Sequence, residues 1–170
     1  MSELSADGPR AVNFTLNGRS ATGHAEPRML LTDFLRQIMG QTDVHASCEH
    51  GVCGSCTIRL DGEPARACLT FAVQVDGRRV DTVQSLLGAK GELNDIQRAF
   101  RKHHGLQCGY CTPGIMMSVA AFLETNADPT EQQVREMLSG HLCRCTGYVG
   151  MVRAVLEVAA TRRAQPAGGS

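Results

Sequence analysis

The chain has 170 residues and a mass of 18.3 kDa, which allows one ordinary domain or two small ones and excludes a large self-contained enzyme. Seventeen Lys and Arg residues balance seventeen Asp and Glu residues, so the chain has no strong field to attract a nucleic acid or an anionic membrane. Aromatic residues make up only 4% of the chain and Trp is absent, so few side chains can stack on bases, and we expect no nucleic-acid partner.

The first half of the chain carries the hydrophobic periodicity of strands around one helix. Alternating apolar residues lead into Asn17-Gly18, a dipeptide typical of a two-residue hairpin turn. Residues 31–39 change to a helical period, and Gly40 is placed to end that helix. Further strands are predicted by the alternation that returns at Phe71, Val73 and Val75. These signals predict a small α+β unit over residues 11–86.

Strand signals disappear beyond Gly88, and four short amphipathic helices are predicted. Thr112-Pro113 has the form of an N-cap followed by a first-turn proline. Thr130 and Gln133 have the spacing of a capping box at the start of another helix. The short connections favour a compact four-helix bundle over residues 87–160. Residues 1–10 and 161–170 are predicted to be flexible tails.

Eight cysteines are the unusual feature of the composition. The N-terminal residues lack the basic and apolar regions of an export signal, and the longest mostly apolar run, residues 115–123, is too short to span a membrane. These features predict a cytoplasmic protein, in which thiols stay reduced. Clustered cysteines in that compartment bind metal or carry out redox chemistry more often than they form disulfides.

The first four cysteines, spaced C-x4-C-x2-C-x11-C, are Cys48, Cys53, Cys56 and Cys68. Three thiols within nine residues converge on one point only if the backbone coils around it, and Gly51 and Gly54 permit the unusual dihedral angles this needs. Glycines also let backbone N–H groups approach negatively charged sulfur. A C-x4-C-x2-C core with a distant fourth cysteine is the plant-type [2Fe–2S] spacing, so we predict such a cluster here.

The other four cysteines, spaced C-x2-C-x31-C-x-C, are Cys108, Cys111, Cys143 and Cys145. Each pair stands just before a predicted helix, with Thr146 or Gly147 as the expected cap of the last one. The N-terminal end of a helix favours a negatively charged centre, because its dipole is positive there and its first N–H groups are unpaired. We therefore predict a second metal site where the two helix starts meet.

Other uses of the eight cysteines are less favoured. Disulfides conflict with a reducing compartment and with the tight Cys143-x-Cys145 spacing. Structural zinc is the stronger rival, mainly at the second site, because C-x2-C pairs are common in zinc ribbons. Histidines near the motifs are predicted to be solvated or to support the ligands, since eight thiols suffice for two clusters. These histidines are His50, His103, His104 and His141.

Three segments together carry a family resemblance: residues 48–56 (CEHGVCGSC), 107–114 (QCGYCTPG) and 142–148 (LCRCTGY). This set resembles the small iron–sulfur subunit of the molybdenum hydroxylases, the family of xanthine oxidase, carbon monoxide dehydrogenase and bacterial N-heterocycle dehydrogenases. The resemblance covers about residues 11–160 in family order. The short gap before Cys68 departs from ordinary plant-type ferredoxins, and the family shares that departure.

The resemblance implies a β-grasp, ferredoxin-like domain with one [2Fe–2S] cluster and a four-helix domain with the other. It implies a large partner subunit with a molybdenum–pterin, in the cytosine dinucleotide form, and usually a medium subunit with FAD. The expected assembly is a heterotrimer, alone or dimerised. Electrons would leave the molybdenum site one at a time, through the helical-domain cluster, then the ferredoxin-domain cluster, then FAD or another acceptor. By the same resemblance, Gln107 would hydrogen-bond the pterin and Cys145 would be the ligand nearest to it.

The residues themselves also favour an electron-transfer role for this chain, with the catalytic and flavin sites on other subunits. No G-x-G-x-x-G or G-x-x-x-x-G-K-[ST] loop is present, so no dinucleotide site is predicted on this chain, and no catalytic residue is assigned. We predict an electron-transfer subunit of a molybdenum-dependent hydroxylase. The alternatives are a self-standing two-cluster ferredoxin and a zinc-stabilised interaction module. The substrate stays open because its pocket would belong to another chain.

Overall fold

The structure is a computed structural model that describes residues 8–164. The ranges 1–7 and 165–170, which belong to the predicted tails, lie outside the described residues. The chain starts with a hairpin of β1 (Arg10–Leu16) and β2 (Arg19–Ala25), in which Arg10 already belongs to a strand. Asn17 and Gly18 join them with positive φ angles of 49° and 77°, as a tight hairpin turn requires.

Within residues 8–164, five strands form one mixed sheet in the order β2-β1-β5-β3-β4. The further strands are β3 (Thr57–Leu60), β4 (Glu63–Arg66) and β5 (Arg79–Asp81). All neighbours are antiparallel except β1 and β5, which are parallel.

One short helix packs against this sheet. It is α1 (Leu31–Asp33), which continues as a π-helical turn over Phe34–Ile38. The ring of Phe34 lies 5.8 Å from that of Phe14 on β1, measured between centroids. A mixed sheet wrapped around a helix agrees with the predicted β-grasp domain.

The strand predicted from Phe71, Val73 and Val75 is wrong. Residues Ala72–Val75 form a 3-10 helix, which buries Ala72 and Val75 and leaves Phe71 45% exposed. Two apolar residues three positions apart face the core in a 3-10 helix, whereas a strand would bury every second residue. Packing on the sheet, rather than local alternation, decides this segment.

The second half contains the four predicted helices. They are α2 (Asp95–Lys102), α3 (Thr112–Thr125), α4 (Glu131–Ser139) and α5 (Val149–Ala164). The capping box of Thr130 and Gln133 is present at the start of α4. Thr112, expected as the N-cap of α3, is instead its first residue, and Cys111 takes the cap position. The last turn of α5 also occupies residues 161–164, which were predicted to be tail.

Each half has its own hydrophobic core. Val83 and Leu86, in a 3-10 turn just before the predicted domain boundary, pack against the helical core. Helix α3 lies against β3 and β4, so the two halves share an interface beside the cysteines. Within residues 8–164, no helix combines the length and apolarity needed to cross a membrane.

Candidate metal centres

The first four cysteines lie around the loop between α1 and β3, called here the first cysteine loop (residues 45–56). Cys53, Cys56 and Cys68 are buried and Cys48 is half-buried. Gly54 in this loop has a φ of +79°, and a Cβ on it would lie 2.3 Å from the Nδ1 atom of His141. Glycine is therefore required there for both conformation and space.

The first cysteines interact with one another. The backbone N–H of Cys53 donates to Sγ of Cys48 over 3.3 Å, and the side chain of Cys68 acts on the pKa of Cys56. Backbone N–H groups of Cys53 and His50 lower the pKa of Cys48 to about 6. Burial raises the pKa of Cys56 to about 11. A buried thiolate at Cys56 therefore needs a positive partner, which a bound iron would supply.

The second four cysteines come from two separate segments. Cys108 and Cys111 directly precede α3, while Cys143 and Cys145 lie in the second cysteine loop (residues 140–148), which leads to α5. Sγ of Cys145 lies 3.5 Å from Sγ of Cys108. Burial raises the pKa of Cys111 to about 12. Two segments that are distant in sequence therefore bring their four thiols to one cavity.

One cavity of about 510 Å³ joins the two groups. All four cysteines of the second group line it, together with Cys48 and Cys53 of the first. Among residues 8–164, no three His, Cys, Asp or Glu side chains converge as ligands of a single ion. Four thiols that line one cavity, as in the second group, fit a [2Fe–2S] cluster, because such a cluster takes four thiolates shared between two irons.

The second group reaches the protein surface. Gln107, Cys108 and Cys145 are exposed, whereas Cys111 is buried at the start of α3. The ring of Tyr110 stacks on His45 with centroids 4.7 Å apart, and the Tyr110 hydroxyl donates to the carbonyl of Ala46. Tyr110 therefore packs onto the first cysteine loop although it lies between two cysteines of the second group.

Two histidines near the cysteine motifs, His103 and His141, form hydrogen bonds with groups other than thiols. Nε2 of His103 lies 2.7 Å from a carboxylate oxygen of Glu157 on α5. Nε2 of His141 lies 2.8 Å from Oγ of Ser118, and both residues are buried. Burial, and then the positive charge of Arg66, lowers the pKa of His141 to about 4, so its ring is neutral at ordinary pH.

Sequence reasoning missed the residues that join the two loops. Arg66 donates to the carbonyls of Gly51 and Gly140, at 3.4 and 2.6 Å, and to the hydroxyl of Thr57. Gly114 on α3 lies so close to the first loop that a Cβ would stand 2.2 Å from the carbonyl oxygen of Gly54. No spacing signal marks these contacts, since they bring together residues from distant parts of the chain.

Comparisons with known proteins agree with this geometry. Residues 19–98 match a model described as a 2Fe-2S iron-sulfur cluster binding domain, and residues 82–156 match a [2Fe-2S] binding domain. The small subunit of nicotine 6-hydroxylase from Paenarthrobacter nicotinovorans is 49% identical over 146 residues, covering 86% of this chain and 87% of that subunit. Subunit gamma of caffeine dehydrogenase from Pseudomonas sp. (strain CBB1) is 45% identical, covering 88% and 91%.

A solved structure extends the likeness to the whole fold. The crystal structure of quinoline 2-oxidoreductase from Pseudomonas putida 86 contains a chain that is 42% identical, with a TM-score of 0.89. The match covers 96% of this chain and 100% of that one. The fold, the two groups of cysteines and the domain matches define a protein that carries two [2Fe–2S] clusters.

The chain belongs to the family of small iron–sulfur subunits of the molybdenum hydroxylases. It is therefore an electron-transfer subunit of an oxidoreductase complex, and its partners are larger subunits of that complex.

Proposed function

We propose that the two groups of cysteines ligate one [2Fe–2S] cluster each. The first set is Cys48, Cys53, Cys56 and Cys68, and the second set is Cys108, Cys111, Cys143 and Cys145. The observation that carries the proposal is that all four cysteines of the second group line one cavity together with Cys48 and Cys53 of the first, because a [2Fe–2S] cluster needs four thiolates at one place. Each cluster, when bound, accepts and releases one electron at a time.

The exposed edge of the second group is the proposed docking face of the large molybdenum–pterin subunit. Gln107, Cys108 and Cys145 are exposed on this edge, so the pterin can approach them from outside the chain. The amide of Gln107 is suited to hydrogen-bond pterin nitrogen and oxygen atoms. Cys145 would then be the ligand nearest to the pterin. Electrons would enter the chain at this edge and continue toward the cysteines of the ferredoxin-like domain.

Beyond the first cluster, we place FAD in a medium subunit as the usual acceptor, and a cytosine dinucleotide on the pterin. The expected assembly is a heterotrimer, alone or dimerised. The first cysteine loop suits an exit toward a partner, since Cys48 is half-buried and the neighbouring Val52 side chain is 55% exposed. We also place the complex in the cytoplasm, because a reducing compartment keeps the eight cysteines from forming disulfides and leaves them able to ligate iron.

Metal analysis and electron paramagnetic resonance test the cluster assignment. The chain, purified without oxygen together with its partner subunits, is expected to contain about four irons and about four acid-labile sulfides. Reduction should give two distinguishable paramagnetic signals. A colourless chain with stoichiometric zinc would contradict the proposal and support the zinc-stabilised alternative. A loaded chain that never co-purifies with a molybdenum subunit would favour a self-standing ferredoxin.

Replacing the exposed glutamine tests the pterin contact. Gln107→Glu keeps the size of the side chain but replaces the amide donor by a negative charge. We expect it to slow reduction of the helical-domain cluster by substrate while both paramagnetic signals remain. The substrate panel starts with nitrogen heterocycles, because two relatives are named for nicotine and caffeine. Unchanged reduction by every accepted substrate would contradict the role of Gln107.

A further inference from the structure

A threonine in the second cysteine loop contacts one of the thiols of that loop. Oγ1 of Thr146 lies 3.2 Å from Sγ of Cys143, and both residues are half-buried. A thiolate that ligates iron carries no proton, so in the loaded chain the threonine hydroxyl is the donor of this hydrogen bond. The side chain of Thr146 therefore acts directly on a proposed ligand atom of the second site.

The surrounding contacts orient the Thr146 hydroxyl toward that sulfur. The backbone N–H of Tyr148 donates to Oγ1 of Thr146 over 3.2 Å, which leaves the single hydroxyl proton for an acceptor. Besides Sγ of Cys143, Sδ of Met151 lies in reach, at 3.9 Å. The thiolate is nearer and charged, whereas a thioether is a weak acceptor. The hydroxyl proton is therefore directed at Cys143.

Tyr148 holds both partners of this hydrogen bond in place. Its backbone N–H binds Oγ1 of Thr146, and its side-chain hydroxyl accepts from the backbone N–H of Cys143 over 2.8 Å. The same hydroxyl donates to the carbonyl of His141 over 3.0 Å. One residue thus fixes the loop around the donor and the sulfur. The N–H of Cys143 is already paired with the tyrosine oxygen.

We propose that Thr146 sets the reduction potential of the helical-domain cluster by donating a hydrogen bond to its ligand Cys143. The inference rests on the proposed cysteine ligands. Thr146 acts through Cys143 and is therefore a positioning residue. Reduction of the cluster adds one electron and no proton, so its thiolates gain negative charge. A hydrogen bond to a thiolate stabilises the more negative, reduced state and so raises the potential.

The place of Thr146 in the chain gives its hydroxyl a role at the proposed docking face. The neighbouring Cys145 is exposed on the edge that would face the large subunit. A partner that covers this edge removes water molecules that could donate to the thiolates, whereas the donor on Thr146 stays. A hydrogen bond is also stronger where water is excluded. Since the helical-domain cluster is the proposed first acceptor, a higher potential favours its reduction.

Three variants separate the hydroxyl from the shape of the side chain. Thr146→Val replaces the hydroxyl by a methyl group, and Thr146→Ser keeps the hydroxyl and removes the methyl group. Thr125→Val is the matched control, because the hydroxyl of Thr125 donates to the carbonyl of Phe122 in its own helix. Thr125 is the last of the 14 residues of α3, so it lies about 20 Å along the helix from the end that carries the cysteines.

The test is a redox titration of the cluster-loaded chain in complex with its partner subunits, followed by paramagnetic resonance. We expect Thr146→Val to lower the midpoint potential of the helical-domain cluster and to leave that of the ferredoxin-domain cluster unchanged. Thr146→Ser should stay close to wild type, because it keeps the donor. Thr125→Val should match wild type at both clusters.

A second measurement follows the proton itself. Electron–nuclear double resonance of the reduced wild-type complex should detect an exchangeable proton, coupled to the helical-domain cluster, that Thr146→Val lacks. If Thr146→Val does not load iron, Thr146→Ala takes its place, since it also removes the hydroxyl. An unchanged potential in a loaded variant without the hydroxyl, or equal lowering in Thr146→Ser and Thr146→Val, would overturn the inference. A wild-type complex without a reducible helical-domain cluster would instead contradict the proposed ligands, so the two failures are distinguishable.

Discussion

Cys145 and Cys108 place their Sγ atoms 3.5 Å apart although 37 positions separate them in the chain. In the folded chain, the residues before α3 and the second cysteine loop lie at the same edge of the helical half. Cys111 and Cys143 line the same cavity as this pair. Loss of one thiol of the second group should therefore disable that site as a unit, while the first site, built from the first cysteine loop and Cys68, keeps its ligands.

Cys143→Ser and Cys68→Ser should each remove one cluster and spare the other. We expect the iron content to fall from about four to about two per chain in either variant, because each cluster holds two irons. Resonance spectra should lose a different signal in each case. The two variants are mutual controls. Loss of both signals from a chain that remains folded would show that the cysteines do not form two independent sites.

The close approach of Gly114 to the first loop predicts a strong effect of one methyl group. In Gly114→Ala the new Cβ would stand 2.2 Å from the carbonyl oxygen of Gly54 and 2.9 Å from that of Ser55. Both neighbours are backbone atoms, so the helix and the loop must move apart. Overpacking of this kind costs about 1–3 kcal/mol. The loss should appear as a lower melting temperature of the loaded chain and an altered signal of the ferredoxin-domain cluster.

Gly140→Ala is the control for this variant. Its φ is −73°, and a Cβ would meet its nearest neighbours at 3.5 and 3.6 Å, which is ordinary contact. We expect little change in melting temperature. Equal behaviour of the two variants would mean that the contact between Gly114 and Gly54 does not constrain the interface.

Sequence reasoning predicted most of the fold because its signals are local. The Asn17-Gly18 turn, the capping box at Thr130 and the helical periods are all properties of short segments. Local signals also explain the wrong strand prediction from Phe71 to Val75. The apolar residues of this stretch fit both a strand of period two and the observed 3-10 helix of period three. Thr112 shows a similar limit: the motif located the helix start but was wrong about the cap by one residue.

At the cysteine sites too, the sequence predicted the features that leave a local pattern and missed those that do not. Cysteine spacing predicted two groups of four, because ligands of one metal site leave a pattern along the chain. Contacts between the groups leave no such pattern. Arg66 and Gly114 act on partners from other segments, and only the packing of the two halves brings these together. The hydrogen bond from the N–H of Leu142 to the carbonyl of Cys53 likewise depends on how the two halves pack.

The buried pair of His141 and Ser118 predicts a second effect at the interface. Ser118→Ala leaves Nε2 of His141 without its partner, and an unpaired buried polar group costs about 1–3 kcal/mol. We expect a fall in melting temperature of about 2–4 °C for each kcal/mol lost. Ser139→Ala is the control, because Ser139 is exposed and donates only to the carbonyl of Glu136. Equal stability of the two variants would contradict a structural role for the buried pair.

The ion pair of Arg162 and Asp95 predicts an acid-dependent contribution to stability. Nε and Nη2 of Arg162, on α5, donate to the two carboxylate oxygens of Asp95 at 2.6 and 3.0 Å, which joins the last turn of α5 to the first turn of α2. These hydrogen bonds hold the pKa of Asp95 below its ordinary value. Because the folded-state pKa is lowered, the contribution is complete above the unfolded pKa of about 3.9 and is lost as the pH falls through the folded value.

Arg162→Met should therefore destabilise the chain near neutral pH, and the difference from wild type should shrink in acid. The pair is partly exposed, so we expect a cost of about 1 kcal/mol or less. Unfolding free energies of both proteins, measured from neutral pH to about pH 3, give this difference directly. Arg135→Met, which breaks the more exposed pair with Glu131, should cost less. A difference that stays constant as Asp95 becomes protonated would mean that its carboxylate is not the partner that Arg162 stabilises.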